Sequence, residues 1–356
     1  MHDSPKTAKP LQVALVGYGM ASKTFHAPLL MHVPGLRLSH IVSSDSAKVK
    51  RDWDLTVLPS PQDAFALPEI DLIVIATPNA THFDLAQAAL SARKHVVVDK
   101  PFTNTVHQAT ELIALARKKQ CLLSVFQSRR WDGDFLTLRK LLAAGELGKI
   151  THFESHYDRY RPEPRARWRE QNVPGGGLWF DLGPHLVDQA LQLFGMPDAI
   201  YADMEIQRPQ GQVVDYFHVI LRYGPSRVIV HGSSLVAGES PRFTIHGALG
   251  SYIKFGMDTQ EESLKRGDAP GGPGWGHDPN MGTLTVKSGD GFEKTQVANE
   301  AGNYLKFYQG IRDAITKGAP NPVLAEEGLA VINVLETAVK SSAARSEIPF
   351  KPITAW

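Results

Sequence analysis

Leu11-Gln12-Val13-Ala14-Leu15-Val16-Gly17-Tyr18-Gly19-Met20-Ala21-Ser22 is the stretch that decides the fold. A short apolar run ending at two glycines reads as a buried parallel strand entering a tight turn. Gly17 and Gly19 match the first two glycines of a dinucleotide fingerprint, and Ser22 stands where the third belongs. Glycine permits the turn and lets the backbone approach a pyrophosphate, while the amides opening the next helix are unpaired donors for an anion. Ser22 is small enough to keep the helix close to the strand. A plain strand-to-helix turn carries the same short pattern, so its surroundings must separate the two readings.

They alternate strand and helix. Met20 to Val33 reads as a helix that Pro28 breaks or kinks and Pro34-Gly35 closes, and Leu36 to Ser43 follows as the second strand. Leu72 to Ala76 is a further buried strand, followed by the turn Thr77-Pro78-Asn79 and a helix from His82 to Ala92. Val96-Val97-Val98 leads to Asp99-Lys100-Pro101, a helix over Val106 to Lys119 and a strand over Leu122 to Phe126. This order predicts an α/β protein with a doubly wound parallel sheet over residues 1–126. From Gln127 the grammar changes. Phe135 to Ala144 is amphipathic, Ile150 to Asp158 alternates, and strand-like segments near Ile200, Tyr216, Arg227, Phe243 and Tyr252 follow without long helices between them. Residues 127–356 are therefore expected to form a second α/β domain with a largely antiparallel sheet. Gly267 to Gly282 reads as a long surface loop, and helices return at Tyr304 to Lys317 and Leu324 to Ser342.

Composition narrows the function. The 356 residues exceed one ordinary core, and 42% hydrophobic with 21% charged residues is the balance of a folded globular protein. Lys and Arg number 38 against 37 Asp and Glu, so no net field draws in nucleic acid or an anionic membrane. The single cysteine, Cys121, excludes an internal disulfide and fits a reducing compartment. Met1 to Pro10 is polar and no later stretch reaches membrane-span length, so the cytoplasm is the expected location.

Three clusters carry candidate chemistry. At the end of the second strand, Ser43, Ser44 and Lys48 can hold a 2′-phosphate, which favours NADP, while Asp45 leaves NAD open. Asp99-Lys100-Pro101 sits at a strand's carboxyl end, where ligands of open α/β sheets collect. In Gly175 to His185, Asp181 and His185 lie four residues apart and face one way on a helix. Pro184 is tolerated in a first turn, which predicts Asp181 as N-cap with His185 just inside. A capping Asp and a core His are the plain structural alternative. Against that, an imidazole beside a carboxylate can accept a hydroxyl proton near neutral pH.

Taken together, the glycine turn, Thr77-Pro78-Asn79 with His82, Asp99-Lys100-Pro101, and Asp181 with His185 resemble the glucose–fructose oxidoreductase and inositol dehydrogenase family, Gfo/Idh/MocA, over nearly the whole chain. The usual Glu-Lys-Pro appears here as Asp-Lys-Pro, which preserves the charge. The resemblance implies an N-terminal Rossmann domain and a C-terminal domain whose large open sheet serves substrate and oligomer contacts, in a homo-dimer or tetramer. It implies Lys100, Asp181 and His185 as the catalytic set. His185 would remove the hydroxyl proton, Lys100 would hydrogen-bond the reacting oxygen, and Asp181 would orient the imidazole or the substrate hydroxyl. Cofactor contacts are expected from Gly17, Tyr18, Gly19, Met20, Ala21, Ser22, Ser43, Ser44, Lys48, Thr77, Pro78, Asn79, His82, Asp99, Lys100 and Gln127.

Phe25-His26-Ala27-Pro28 with Tyr157-Asp158-Arg159 looks like the scyllo-inositol dehydrogenase branch. Asp158, Arg159 and Trp168 join the catalytic three as expected substrate contacts, with Arg130 and Trp179 as lesser candidates. His152, Glu154, His156 and Asp158 share one strand face and could hold a metal. The family chemistry needs none, and no metal is expected. The implied reaction is NAD(P)-dependent hydride transfer to or from a secondary alcohol of a sugar or cyclitol. An NAD-dependent glycosidase working by transient oxidation and a non-catalytic dinucleotide sensor are the alternatives.

Overall fold

The structure, a computed structural model, describes residues 9–353. Residues 1–8 of the polar N-terminal stretch, on which the expected location partly rested, lie outside the described residues.

Six parallel strands build the first sheet. β1 (Leu11–Val16) leads through a π-helical turn (Ser22–His26) into helix α1 (Ala27–Met31), then β2 (Leu36–Val42), α2 (Ser46–Asp52), β3 (Thr56–Leu58), α3 (Pro61–Ala66), β4 (Leu72–Ile75), α4 (His82–Ser91), β5 (His95–Val98), α5 (Val106–Lys119) and β6 (Leu123–Val125). The strand order is β3-β2-β1-β4-β5-β6. The chain winds outward from β1 through β2 and β3, then crosses back so that β4 pairs on the other side of β1. That reversal opens a crevice at the carboxyl ends of β1 and β4, the place where open α/β sheets take ligands. Val13 to Val16, Leu72 to Ile75 and Val96 to Val98 are essentially fully buried. Such continuous apolar strands belong to a sheet covered by helices on both faces.

Pro28 does not break the first helix. It falls in the first turn of α1, where its missing N–H has no helical partner to lose, and the wider turn before it absorbs the change of direction. The elements between Ser46 and Ala66 were not legible in the sequence. β3 has only three residues, too few for any period to show.

The second part continues with α6 (Gly133–Ala144), β7 (Ile150–His156), α7 (Leu178–Phe194), β8 (Ala199–Glu205), β9 (Tyr216–Tyr223), β10 (Ser226–Ser233), β11 (Pro241–Gly247), β12 (Gly250–Phe255), α8 (Gln260–Arg266), β13 (Gly282–Ser288), β14 (Gly291–Val297), α9 (Leu305–Lys317), α10 (Ala325–Ala344) and β15 (Ile348–Pro349). Its nine strands run in the order β14-β13-β12-β11-β7-β10-β9-β8-β15, and β7 and β10 form a parallel pair within an otherwise antiparallel sheet. Phe217, Val219 and Leu221 alternate with His218 and Ile220 along β9, so one face packs inward on α7 and α10 while the other stays half-exposed. Helix α10 also packs on α5 and β6, which seats it against both sheets. Among the described residues no helix is long and apolar enough to cross a membrane.

Helix α7 corrects the expected capping. It begins at Leu178, whose N–H donates to Val214 O at 2.7 Å, and the N-cap is Gly177 at φ +91°. Asp181 lies in the first turn without capping it, and Pro184 is interior. The tertiary anchor to Val214 starts the helix earlier than Pro184 suggested. Gly183, one residue before, has no room for a side chain, because an added Cβ meets the Trp179 ring at 2.6 Å.

Gly17 adopts φ +93°, and a Cβ there would approach Ala76 O at 2.8 Å and Thr77 Cγ2 at 2.9 Å. Gly17→Ala is therefore expected to cost roughly 1–3 kcal/mol through backbone strain. A lower urea midpoint with an unchanged slope checks this, and an unaltered midpoint refutes it.

Candidate active site

Strand β5 delivers Asp99 and Lys100 to the crevice. The Lys100 side chain crosses to the first turn of α7, where Nζ donates to Asp181 O at 2.6 Å and to Asp181 Oδ1 at 3.2 Å. Arg169 Nε lies 3.3 Å from the same Oδ1. Burial opposes ionisation of Asp181, yet Lys100, Arg169 and Arg159 outweigh it and hold the carboxyl well below the usual range. Burial pushes the Lys100 pKa down, and Asp181 only partly restores it. Asp99 accepts from the Lys100 N–H at 2.7 Å and lies 3.8 Å from His26 Nε2.

His185 follows one helical turn after Asp181 and is 9% exposed. Burial first, then the charges of Lys100 and Arg129, hold its pKa well below 6.5, so the imidazole is neutral around pH 7. Its Nδ1 is buried without a partner. No hydrogen bond joins Asp181 to His185, because the two cations occupy the carboxylate. Asp181 therefore positions Lys100, not the imidazole.

These groups face a cleft of about 510 Å³, whose walls run from Met20, Ala21 and Phe25 past Lys100, Asp181 and His185 to Arg159 and Arg161. This volume falls within the range of small-molecule sites. A Cβ added at Gly19 meets nothing within 4 Å, so the backbone there is open to close approach by a ligand. The open backbone at Gly19 and the cleft beside it thus fit a dinucleotide.

The remaining expected cofactor contacts divide. Met20 and Ala21 line the cleft, and Ser22 is buried, with Oγ 3.4 Å from Ala76 O. The Tyr18 ring turns away to donate to Asp52 at 2.8 Å. Lys48 Nζ donates to Tyr18 O at 3.1 Å, which brings it beside the turn. Ser43 Oγ accepts from Asp45 N at 3.1 Å, Ser44 is exposed, and Asp45 caps α2 by accepting from Lys48 N at 2.8 Å. Thr77 bonds Thr81 at 2.7 Å after β4, Pro78 caps the short turn that follows, and Asn79 donates to Gly175 O at 3.1 Å, joining that turn to the glycine run before α7. Gln127 is buried with Oε1 unpartnered. His82 is a correction. It is fully buried, with its ring nitrogens 2.9 Å from Pro101 O and 3.0 Å from Thr77 O, so it ties two loops together and has no surface to offer a cofactor.

Among expected substrate contacts, Arg159 lines the cleft, whereas Trp168 stands behind the guanidinium of Arg169, 4.5 Å from its ring centre. Asp158 reaches the cleft wall, but its carboxylate is engaged by Ser240 Oγ at 2.6 Å and Ser233 N at 3.1 Å, between His156 and His231. Arg130 is buried against Asp188 and Glu327, and Trp179 is core, donating to Leu335 O. Of the strand set weighed for a metal, His152, Glu154 and His156 bond one another in a row, while His156 and Asp158 gather with His231 from β10. Reasoning from sequence missed Arg169, Arg161 and Arg165. Their signal was visible as arginines at alternate positions, 159 and 161, then 165, 167 and 169.

Rossmann order, glycine turn and the lysine–aspartate pair define a nicotinamide-dependent oxidoreductase of two-domain build. Comparison with known proteins places it in a family. Residues 11–127 match the oxidoreductase family, NAD-binding Rossmann fold, and residues 139–350 match its C-terminal alpha/beta domain, so the chain belongs to the Gfo/Idh/MocA oxidoreductases. It is 51% identical over 339 residues to the uncharacterized oxidoreductase YdgJ of Escherichia coli K12, covering 95% of this chain and 98% of that protein. It is 41% identical over 335 residues to the scyllo-inositol 2-dehydrogenase (NADP(+)) IolW of Bacillus subtilis 168, covering 93% and 94%. The solved YPO2259 oxidoreductase of Yersinia pestis superposes with a TM-score of 0.94 at 52% identity, covering 98% of this chain and 99% of that one.

The His185 environment sets a pH dependence. The unfolded chain protonates this imidazole near 6.5 and the folded chain only well below that, so acidification through 6.5 favours unfolding. His185→Gln should therefore lose less Tm than the parent between about pH 6.5 and 5. Parallel melting curves measure the difference, and equal losses contradict the assignment.

Proposed function

We propose that the protein reversibly oxidises a secondary alcohol of a sugar or cyclitol, with NADP preferred to NAD. The observation that carries this reading is the convergence of the Lys100–Asp181 pair and the unpartnered His185 on one cleft beside the glycine turn. The bound nicotinamide supplies the hydride acceptor. His185, neutral at physiological pH, takes the hydroxyl proton. Lys100 donates a hydrogen bond to the reacting oxygen and stabilises the negative charge that develops there. Asp181 keeps Lys100 aimed and offsets part of the pull of burial on its charge. Met20, Ala21 and the open backbone at Gly19 would hold the pyrophosphate.

The NADP preference rests on the end of β2. Asp45 is engaged as the α2 cap and Lys48 Nζ lies beside the glycine turn on Tyr18 O, so Ser43, Ser44 and Lys48 are the groups assigned to a ribose substituent. IolW, named for NADP(+), supports the same choice. The expected division into a dinucleotide domain to residue 126 and a substrate domain from 127 belongs to this reading. So do a cytoplasmic location and self-association as a dimer or tetramer through the uncovered face of the second sheet.

His185→Ala should lower turnover by roughly 10²–10⁴-fold, the usual worth of general acid–base help, and leave NADP binding nearly intact. A spectrophotometric screen of inositols and aldoses with both cofactors provides the substrate, and full turnover in the variant rules out the role. Lys48→Ala should weaken NADP by about tenfold, the equivalent of one charge-assisted hydrogen bond, while NAD binding stays close to the parent value. Fluorescence titration of both cofactors decides this, since an equal loss for both excludes a 2′-phosphate contact.

A further inference from the structure

Past Asp181 the second-domain end of the cleft forms a recess whose wall carries Arg159, Arg161, Arg167 and Arg169, with Arg208 behind it across a gap no larger than a water. Arg165 stands on the adjoining wall. Several of these charges are neutralised. Arg208 pairs with Glu170 at 2.5 Å and Asp215 at 2.8 Å, Arg167 with Glu170 at 3.0 Å, and Arg169 with Asp181 at 3.3 Å. The acids of the main cleft are also committed: Glu261 to Arg129 and Lys265, and Asp158 to its two histidines and Ser240. Arg159, Arg161 and Arg165 remain, and no described carboxylate lies within 4.0 Å of their guanidinium groups.

Their placement is built by the backbone. Arg159 N donates to Ser233 O at 3.0 Å and Arg161 N to Ser234 O at 2.7 Å, so the segment runs beside the end of β10 in extended form. Alternate residues of an extended chain face one way. Arg159 and Arg161 therefore both line the recess, and Tyr160 between them is 61% exposed. Burial, reinforced by Arg159, Arg165 and Arg167, pushes the Arg161 pKa down, as expected for clustered cations without counter-charges. A neutral polyol offers such a cluster no compensating charge, whereas a carboxylate or phosphate matches the guanidinium fork. The cofactor's pyrophosphate has backbone donors of its own at the open glycine turn, which leaves these three charges for another anion.

We propose that this recess is an anion subsite, and that the preferred substrate is a sugar or cyclitol derivative bearing a carboxylate or phosphate. The inference rests on the cleft being the substrate site. The NADP-loaded protein is titrated calorimetrically with matched probes: D-glucose against D-gluconate, D-glucuronate and D-glucose 6-phosphate, and myo-inositol against its monophosphate. At least one anion is expected to bind about tenfold or more tightly than its neutral partner, with the advantage shrinking as salt rises. The carboxylate and phosphate arms identify which group the recess takes. Arg161→Gln combined with Arg165→Gln should abolish the advantage with NADP affinity unchanged, and the corresponding lysine pair should retain part of it. Neutral partners binding as well as every anion, or a preference that survives the glutamine pair, overturns the proposal. Turnover of neutral polyols without an anion preference sinks the subsite alone. An anion preference without any nicotinamide reduction sinks the dehydrogenase reading and leaves the subsite standing.

Discussion

The contact between Lys100 and Asp181 joins the two halves of the molecule at the point where they must agree. Lys100 is fixed by the end of β5 and Asp181 by the first turn of α7, and their side chains are 11% and 17% exposed. A buried ion pair of this kind contributes little net stability once desolvation is counted, but breaking it strands a charge. Its consequence is geometric. With Asp181 held, α7 has one orientation over the crevice, and His185 one turn later faces the same cleft as the glycine turn.

The charge pattern around that contact explains how a neutral imidazole persists. His185 is surrounded by Lys100, Arg129, Arg242 and Arg159, all of which oppose its protonation beyond the effect of burial. Behind this cationic shell, acids are packed just as tightly. Asp132 accepts from Tyr304 at 2.6 Å, and Asp258 accepts from Gly133 N at 2.8 Å, its carboxyl raised to about 6 chiefly by burial. These buried polar groups are partnered, as interior polar groups must be, and they fix the base of the second domain against α9. The wall at Arg159, Arg161 and Arg165 differs, because no described carboxylate pairs with those three guanidinium groups.

Fold class was legible because it follows from local rules. Leu11 to Ser22, Leu72 to Asn79 and Val96 to Pro101 each carry a buried strand and a turn of fixed chemistry, and three such units in alternation with helices leave few topologies. What escaped notice had no local period: β3 with three residues, and β14, exposed along nearly its whole length as the sheet's edge. Pro184 misled in the opposite sense. Propensity placed it in a first turn, and the bond from Leu178 to Val214, distant in sequence, started the helix earlier.

At the site, the sequence by itself determined which chemical groups are present: a glycine turn, a lysine at a strand end, and an aspartate and histidine one helical turn apart. These are set by spacing along single elements, where geometry follows from the backbone period. Only the tertiary structure decided their allegiances. It turned Asp181 toward Lys100 and Arg169 instead of His185, buried His82 between two carbonyls, committed Asp158 to serines and histidines, and gathered Arg159, Arg161 and Arg165 on one cleft wall. The physical reason is that partner choice depends on distance and burial across residues far apart in the chain, and neither is encoded in the spacing of any one segment.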